Sequence, residues 1–117
     1  MMNLDKKYID ECSNYIVELS NFSNKVCNRI EENENVEVIK TYIGEFGSQL
    51  EELVKFIQGN DYLKRTILEG ERDLKFALES FGDAFHSQDY NLCEEILKYE
   101  FNYILCKWQD KLFASRK

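Results

Sequence analysis

An all-α fold, a single-domain antiparallel up-down-up-down four-helix bundle, is predicted by three features of this 117-residue sequence. It contains no proline, its apolar residues recur at helical spacing in four long segments, and short polar runs separate those segments. Proline interrupts helix interiors and is common in loops, so its absence, with only five glycines, fits long helices joined by short turns. The boundaries read from the pattern are about 4–31, 36–58, 61–86 and 89–114, in one domain spanning 1–117.

In the first segment Leu4, Tyr8, Cys12, Tyr15, Ile16, Leu19, Phe22, Val26, Cys27 and Ile30 share one face, with Lys7, Asp10, Glu11, Glu18 and Lys25 opposite. The run Glu31-Glu32-Asn33-Glu34-Asn35 breaks this pattern and offers asparagines for a helix end and the next N-cap. The second segment carries Val36, Ile39, Tyr42, Ile43, Phe46, Leu50, Leu53, Val54 and Ile57 inward and ends at Gly59-Asn60-Asp61, where Asn60 or Asp61 is the next cap. The third repeats Leu63, Ile67, Leu74, Ala77, Leu78, Phe81, Ala84 and Phe85; Gly70 on this face either lets a neighbouring helix approach or breaks the helix. The fourth begins near Asp89, and its apolar arc, through Leu92, Cys93, Ile96, Leu97, Phe101, Tyr103, Ile104, Leu105, Trp108 and Leu112, is the widest of the four. A helix apolar over so much of its circumference is central in its bundle or covered by a partner.

Fifteen Lys and Arg against 22 Asp and Glu leave a net charge of −7. No basic run exceeds two residues, which argues against nucleic acid and anionic membrane surfaces as partners, since both require concentrated positive charge. No apolar stretch approaches the roughly 20 residues that span a bilayer, and Met1 to Lys7 lead into the helical pattern without a secretory apolar region, so a cytoplasmic location is expected. Cys12, Cys27, Cys93 and Cys106 lack metal-ligand spacing and read as buried free thiols. A Cys12–Cys27 disulfide is excluded on one helix, where fifteen residues span about 22 Å.

The sequence offers no catalytic, cofactor-binding or metal-ligating set. Di-iron bundles use Glu-x-x-His pairs, whereas this chain has a single histidine, His86, three residues after Asp83 at a helix end. Phosphate-binding glycine loops are absent, and no cysteine has a local base. The informative polar residue is Glu100, which the wheel places inside the apolar arc among Ile96, Leu97, Tyr103 and Ile104. Such a carboxylate is either a buried hydrogen-bond partner fixing helix register or the anchor of a groove that receives a partner. Tyr99, Tyr103, Trp108 and, on another side, Phe101 extend a candidate partner-binding surface. Phe56 and Phe76, displaced from their own stripes, add apolar area to it.

From Ala84 to Trp108 the order Ala84, Asp89-Tyr90, Leu92, Ile96-Leu97, Tyr99-Glu100 and Trp108 resembles the last helical hairpin of small acidic bacterial helical-bundle proteins of uncharacterised function. It is distantly similar to the C-terminal helices of flagellin export chaperones, bundles that wrap an unfolded export substrate. The resemblance implies a bacterial binding protein without catalytic residues. The expectation is a non-enzymatic protein-binding module, a small chaperone or adaptor whose partner is another protein or a second copy of itself. The alternative is a carboxylate-based metal protein or enzyme.

Overall fold

The computed structural model describes residues 3–115; Met1, Met2, Arg116, Lys117 and the side chains of Asn3 and Leu4, the last read as inward-facing from the pattern, lie outside the described residues. All secondary structure among them is helical. Helix α1 covers Asn3–Glu31 and α2 covers Val36–Gln58. A short α3, Asp61–Leu63, runs into a π-helical turn, Lys64–Leu68. Helix α4 spans Asp73–His86. The chain then forms one continuous rod over 90–115, in which α5 (Tyr90–Glu95) and α6 (Asn102–Ser115) flank a second π-helical turn, Ile96–Phe101.

Caps set where these elements start. Asn35 accepts from the Glu37 amide at 2.8 Å, Asn60 from Leu63 at 2.9 Å and Asp89 from Leu92 at 3.1 Å, satisfying amides that a helix N-terminus leaves open. Asn33 and Gln88, in the turns after α1 and α4, take positive φ, a conformation asparagine tolerates at helix ends.

Helix α1 packs against α2 on one flank and against the 90–115 rod on the other. Phe46 of α2, Phe81 of α4 and Phe101 of the rod meet edge-to-face at the centre of the core, with centroids 5.2 to 5.9 Å apart. Ser13 and Gln109 exchange two hydrogen bonds, 2.9 and 3.0 Å, and so fix α1 against α6.

Two sequence expectations are corrected. The third helix is not continuous over 61–86: it stops after the first π turn, breaks at Gly70 with φ 79°, and restarts at Asp73 in the same direction along the rod. No neighbouring atom lies within 4 Å of where a Gly70 Cβ would sit, so this glycine serves the turn, not a close helix approach. The second correction concerns the wide arc of the last helix. In the turn Ile96–Phe101 the Asn102 amide bonds back to the Leu97 carbonyl, five residues earlier, so the turn holds one residue more than an α turn. Plotted at a constant α-helical step, residues beyond it fall on the wrong side.

Phe101 therefore faces the core, Trp108 is fully buried, and Glu100 and Tyr103 are exposed. Phe56 is also better covered than expected, lying between Tyr8 and Tyr15 of α1 at 6.2 and 5.1 Å between centroids, whereas Tyr15, Val36, Leu78 and Leu92, expected inward, lie at the edges of their stripes or the start of a helix and are exposed. Of the cysteines, Cys12, Cys27 and Cys93 are buried, whereas Cys106 is exposed.

Candidate functional site

The 69–72 turn is locked from below by one carboxylate. Glu71 Oε2 accepts from the backbone amides of Asp73 at 2.7 Å and Leu74 at 3.2 Å, capping α4. Its Oε1 accepts from Trp108 Nε1 at 2.8 Å and pairs with Lys107 Nζ at 3.0 Å, with the Glu71 side chain only 4% exposed. Burial pushes the Glu71 carboxyl upward, but the Trp108 and Lys107 hydrogen bonds and the two amides outweigh it and hold the group below its ordinary value. Lys107 also pairs with Asp73 at 2.8 Å, and Lys111 donates to the Ile67 carbonyl at 3.1 Å. Thus α6 carries the hydrogen-bonding groups that hold the broken third segment in place.

This hub positions an aromatic surface above it. Helix α4 and the rod run in opposite directions, since Asp73 meets Lys107, Phe81 meets Phe101, and residues 87–89 turn between them. The Lys107 ammonium lies 5.4 Å from the Tyr103 ring centroid while bound to Asp73, so it ties the exposed side of the rod to the exposed side of α4. Phe76 follows Asp73 by one turn and is 66% exposed. Tyr103 is 59% exposed and Tyr99, one turn earlier on the rod, 71%. Three large aromatic side chains are thus more than half open to water on adjacent antiparallel helices.

Of the residues singled out from the sequence, Tyr99 and Tyr103 lie on this face and Glu100 beside it, exposed rather than buried among apolar neighbours. Trp108 and Phe101 are core residues; Trp108 reaches the site only through its indole bond to Glu71. Glu71 and Lys107 carried no sequence signal, because Glu71 sits where a continuous helix was expected and its partner lies 37 residues away.

Other concavities lack converging chemistry. A cleft of about 620 Å³ is lined by Asp61, Lys64, Arg65, Leu68 and Glu69, all from one short stretch of chain. A groove of about 480 Å³ between α1 and α2 has Tyr15, Leu19 and Phe22 below Glu18, Glu45 and Glu52. Among the described residues no group of three or more His, Cys, Asp or Glu side chains is placed to hold a metal ion, and no helix is long and apolar enough to cross a membrane. Comparison with protein families, characterised proteins and solved structures gives no match.

Proposed function

We propose that this chain is a non-enzymatic protein-binding module, a small chaperone or adaptor, that docks its partner on the face formed by α4 and the 90–115 rod. In this reading the helices form an antiparallel four-column bundle whose third column is split into two pieces. The exposure of Phe76, Tyr99 and Tyr103 carries the reading, because aromatic side chains of this size lose most from remaining in water and are enriched where partners bind. The Glu71–Trp108–Lys107 hub supports it by holding the two helices of the face in fixed register, which lowers the ordering cost of docking.

Photo-crosslinking in the source cell tests the proposal. A photoreactive residue placed at Tyr99 or Tyr103 is expected to trap a discrete protein, while the same residue at Lys25, on the exposed side of α1, traps none. Equal labelling from Lys25, or no adduct from either tyrosine position, would overturn the reading.

A further inference from the structure

We infer that the α4–rod face receives a basic, amphipathic segment of a partner protein, whose apolar side chains cover Phe76, Tyr99 and Tyr103 and whose Lys and Arg side chains meet a carboxylate rim. This rests on the docking reading above and names the chemistry of the partner. Glu95 precedes Tyr99 by four residues, Glu100 adjoins it, and Glu79 and Asp83 follow Phe76 along α4; all four are exposed.

Of the basic groups nearby, Arg72 is exposed at the start of α4, four residues before Phe76, and the others are committed or turned away. Lys107 is held by Glu71 and Asp73, and Lys98 by Glu31 and Glu94 on the side of the rod that faces α1. Lys75 lies one step further round α4 from Phe76, away from the side where Ala77 and Phe81 enter the core. The face is thus an aromatic strip whose border holds Glu79, Asp83, Glu95 and Glu100 against one cation, Arg72.

That charge decides between occupants. A second copy docking by two-fold symmetry would set the carboxylate rim against itself, and like-charge juxtaposition disfavours such a pairing. An anionic lipid surface or a phosphate backbone meets the same repulsion. A neutral apolar segment would cover the aromatics but strip water from four carboxylates without replacing it. A segment with cations flanking an apolar stripe satisfies both parts, and cations can also sit over the tyrosine rings.

Two labelled synthetic helical peptides test this inference by fluorescence anisotropy, one of leucine and lysine and one of leucine and glutamate with identical apolar positions. The wild-type chain is expected to bind the lysine peptide at least about tenfold more tightly than the glutamate peptide, with the preference shrinking as salt rises from about 0.05 to about 0.5 M. Glu79→Gln, Asp83→Asn, Glu95→Gln and Glu100→Gln together should weaken the lysine peptide about tenfold, as should Phe76→Ser, Tyr99→Ser and Tyr103→Ser together. Glu45→Gln with Glu52→Gln, in the α1–α2 groove, should leave it unchanged. Absent binding, undiminished binding after the fourfold neutralisation, or an equal loss in the α2 variant would overturn the inference. Crosslinks at Tyr99 that persist in the neutralised variant would leave the docking face standing and sink only its basic partner, whereas loss of all crosslinks in the wild type sinks the face itself.

Discussion

The Glu71 carboxylate accepts a 2.8 Å hydrogen bond from the indole Nε1 of Trp108, a contact between the turn that opens α4 and the middle of α6. It joins two demands with one side chain. A buried indole N–H requires an acceptor, and a helix that restarts after a left-handed glycine requires a cap for its first amides. Because both oxygens of Glu71 are used, the break in the third segment is as firmly held as the helices beside it.

Replacing Glu71 should consequently be costly. Glu71→Ala leaves Trp108 Nε1 without its acceptor and uncaps α4, for an expected loss of about 3 kcal/mol. Glu71→Gln keeps an oxygen for the indole but turns an NH2 toward the Asp73 and Leu74 amides and drops the charge facing Lys107, so about 2 kcal/mol is expected. Urea unfolding of the two variants measures both, and a wild-type midpoint in Glu71→Ala would contradict the assignment.

The same carboxylate predicts an acid limb of stability. Its folded-state pKa lies below the ordinary value, so its contribution is complete above the unfolded pKa of about 4.3 and is lost as pH falls through the lower folded value. Below about pH 4.3 the wild type should lose stability faster than Glu71→Gln, and the two curves should converge in stronger acid. Parallel curves of urea midpoint against pH would remove Glu71 from the account.

Glu94 predicts the opposite sign. Burial, then the neighbouring Glu31 carboxyl, raise its pKa despite the Lys98 ammonium 3.4 Å from its buried Oε2. A carboxyl whose folded pKa is raised carries a penalty at neutral pH that is relieved as pH falls through that value. Glu94→Gln should stabilise the protein at pH 7 by on the order of 0.5 kcal/mol, the gain shrinking as the solution enters the carboxylate range. Thermal melts at pH 7 and pH 5 distinguish this from a simple loss of the Lys98 pair, which would destabilise at both.

The fold class was legible because it rests on local signals. Asn35, Asn60 and Asp89 cap where short polar side chains precede apolar periodicity, and Ile39, Ile43, Phe46, Leu50, Leu53 and Ile57 keep one phase throughout α2. What stayed hidden depends on distance or on a change of step. Glu71 caps α4 through a side chain whose other partners lie on α6, and no local pattern announces that pairing. The face was half visible: Phe76 stood off its stripe and Tyr99 belonged to the candidate surface, but the extra residue in the turn Ile96–Phe101 exchanged the positions of Phe101 and Tyr103.

The thiols should separate by reactivity. Burial pushes Cys12 up to about 12 and Cys27 and Cys93 up to about 11, so at neutral pH these three are protonated as well as covered. Titration of the native protein with a disulfide reagent should release one equivalent rapidly, from exposed Cys106, and four after denaturation. Rapid release of two or more equivalents from the native state would show that the α1–rod interface opens.

The second π turn yields the sharpest mutational test. Core positions on the rod run Cys93, Ile96 and Leu97, Phe101, Ile104 and Leu105, Trp108, Leu112, and at a uniform α-helical step they would spread over an arc of about 180°. Deleting exposed Glu100 removes the extra residue of the turn Ile96–Phe101 and narrows that arc to about 120°, so a plain α-helix keeps every inward residue inward. The deletion should therefore fold and cost less than about 2 kcal/mol, comparable with an ordinary point substitution. Deleting exposed Glu52 instead removes a residue from an unbroken α-helix and rotates Leu53 and Ile57 by about 100° away from the core, so that chain should not fold cooperatively. Point variants give the same contrast: Glu100→Ala should stay within about 0.5 kcal/mol of wild type, and Phe101→Ala, which empties the Phe46–Phe81–Phe101 contact, should lose about 3–5 kcal/mol. Unfolding of the Glu100 deletion, or a large loss in Glu100→Ala, would mean that the last helix keeps a uniform α-helical step and that Glu100 lies in the core.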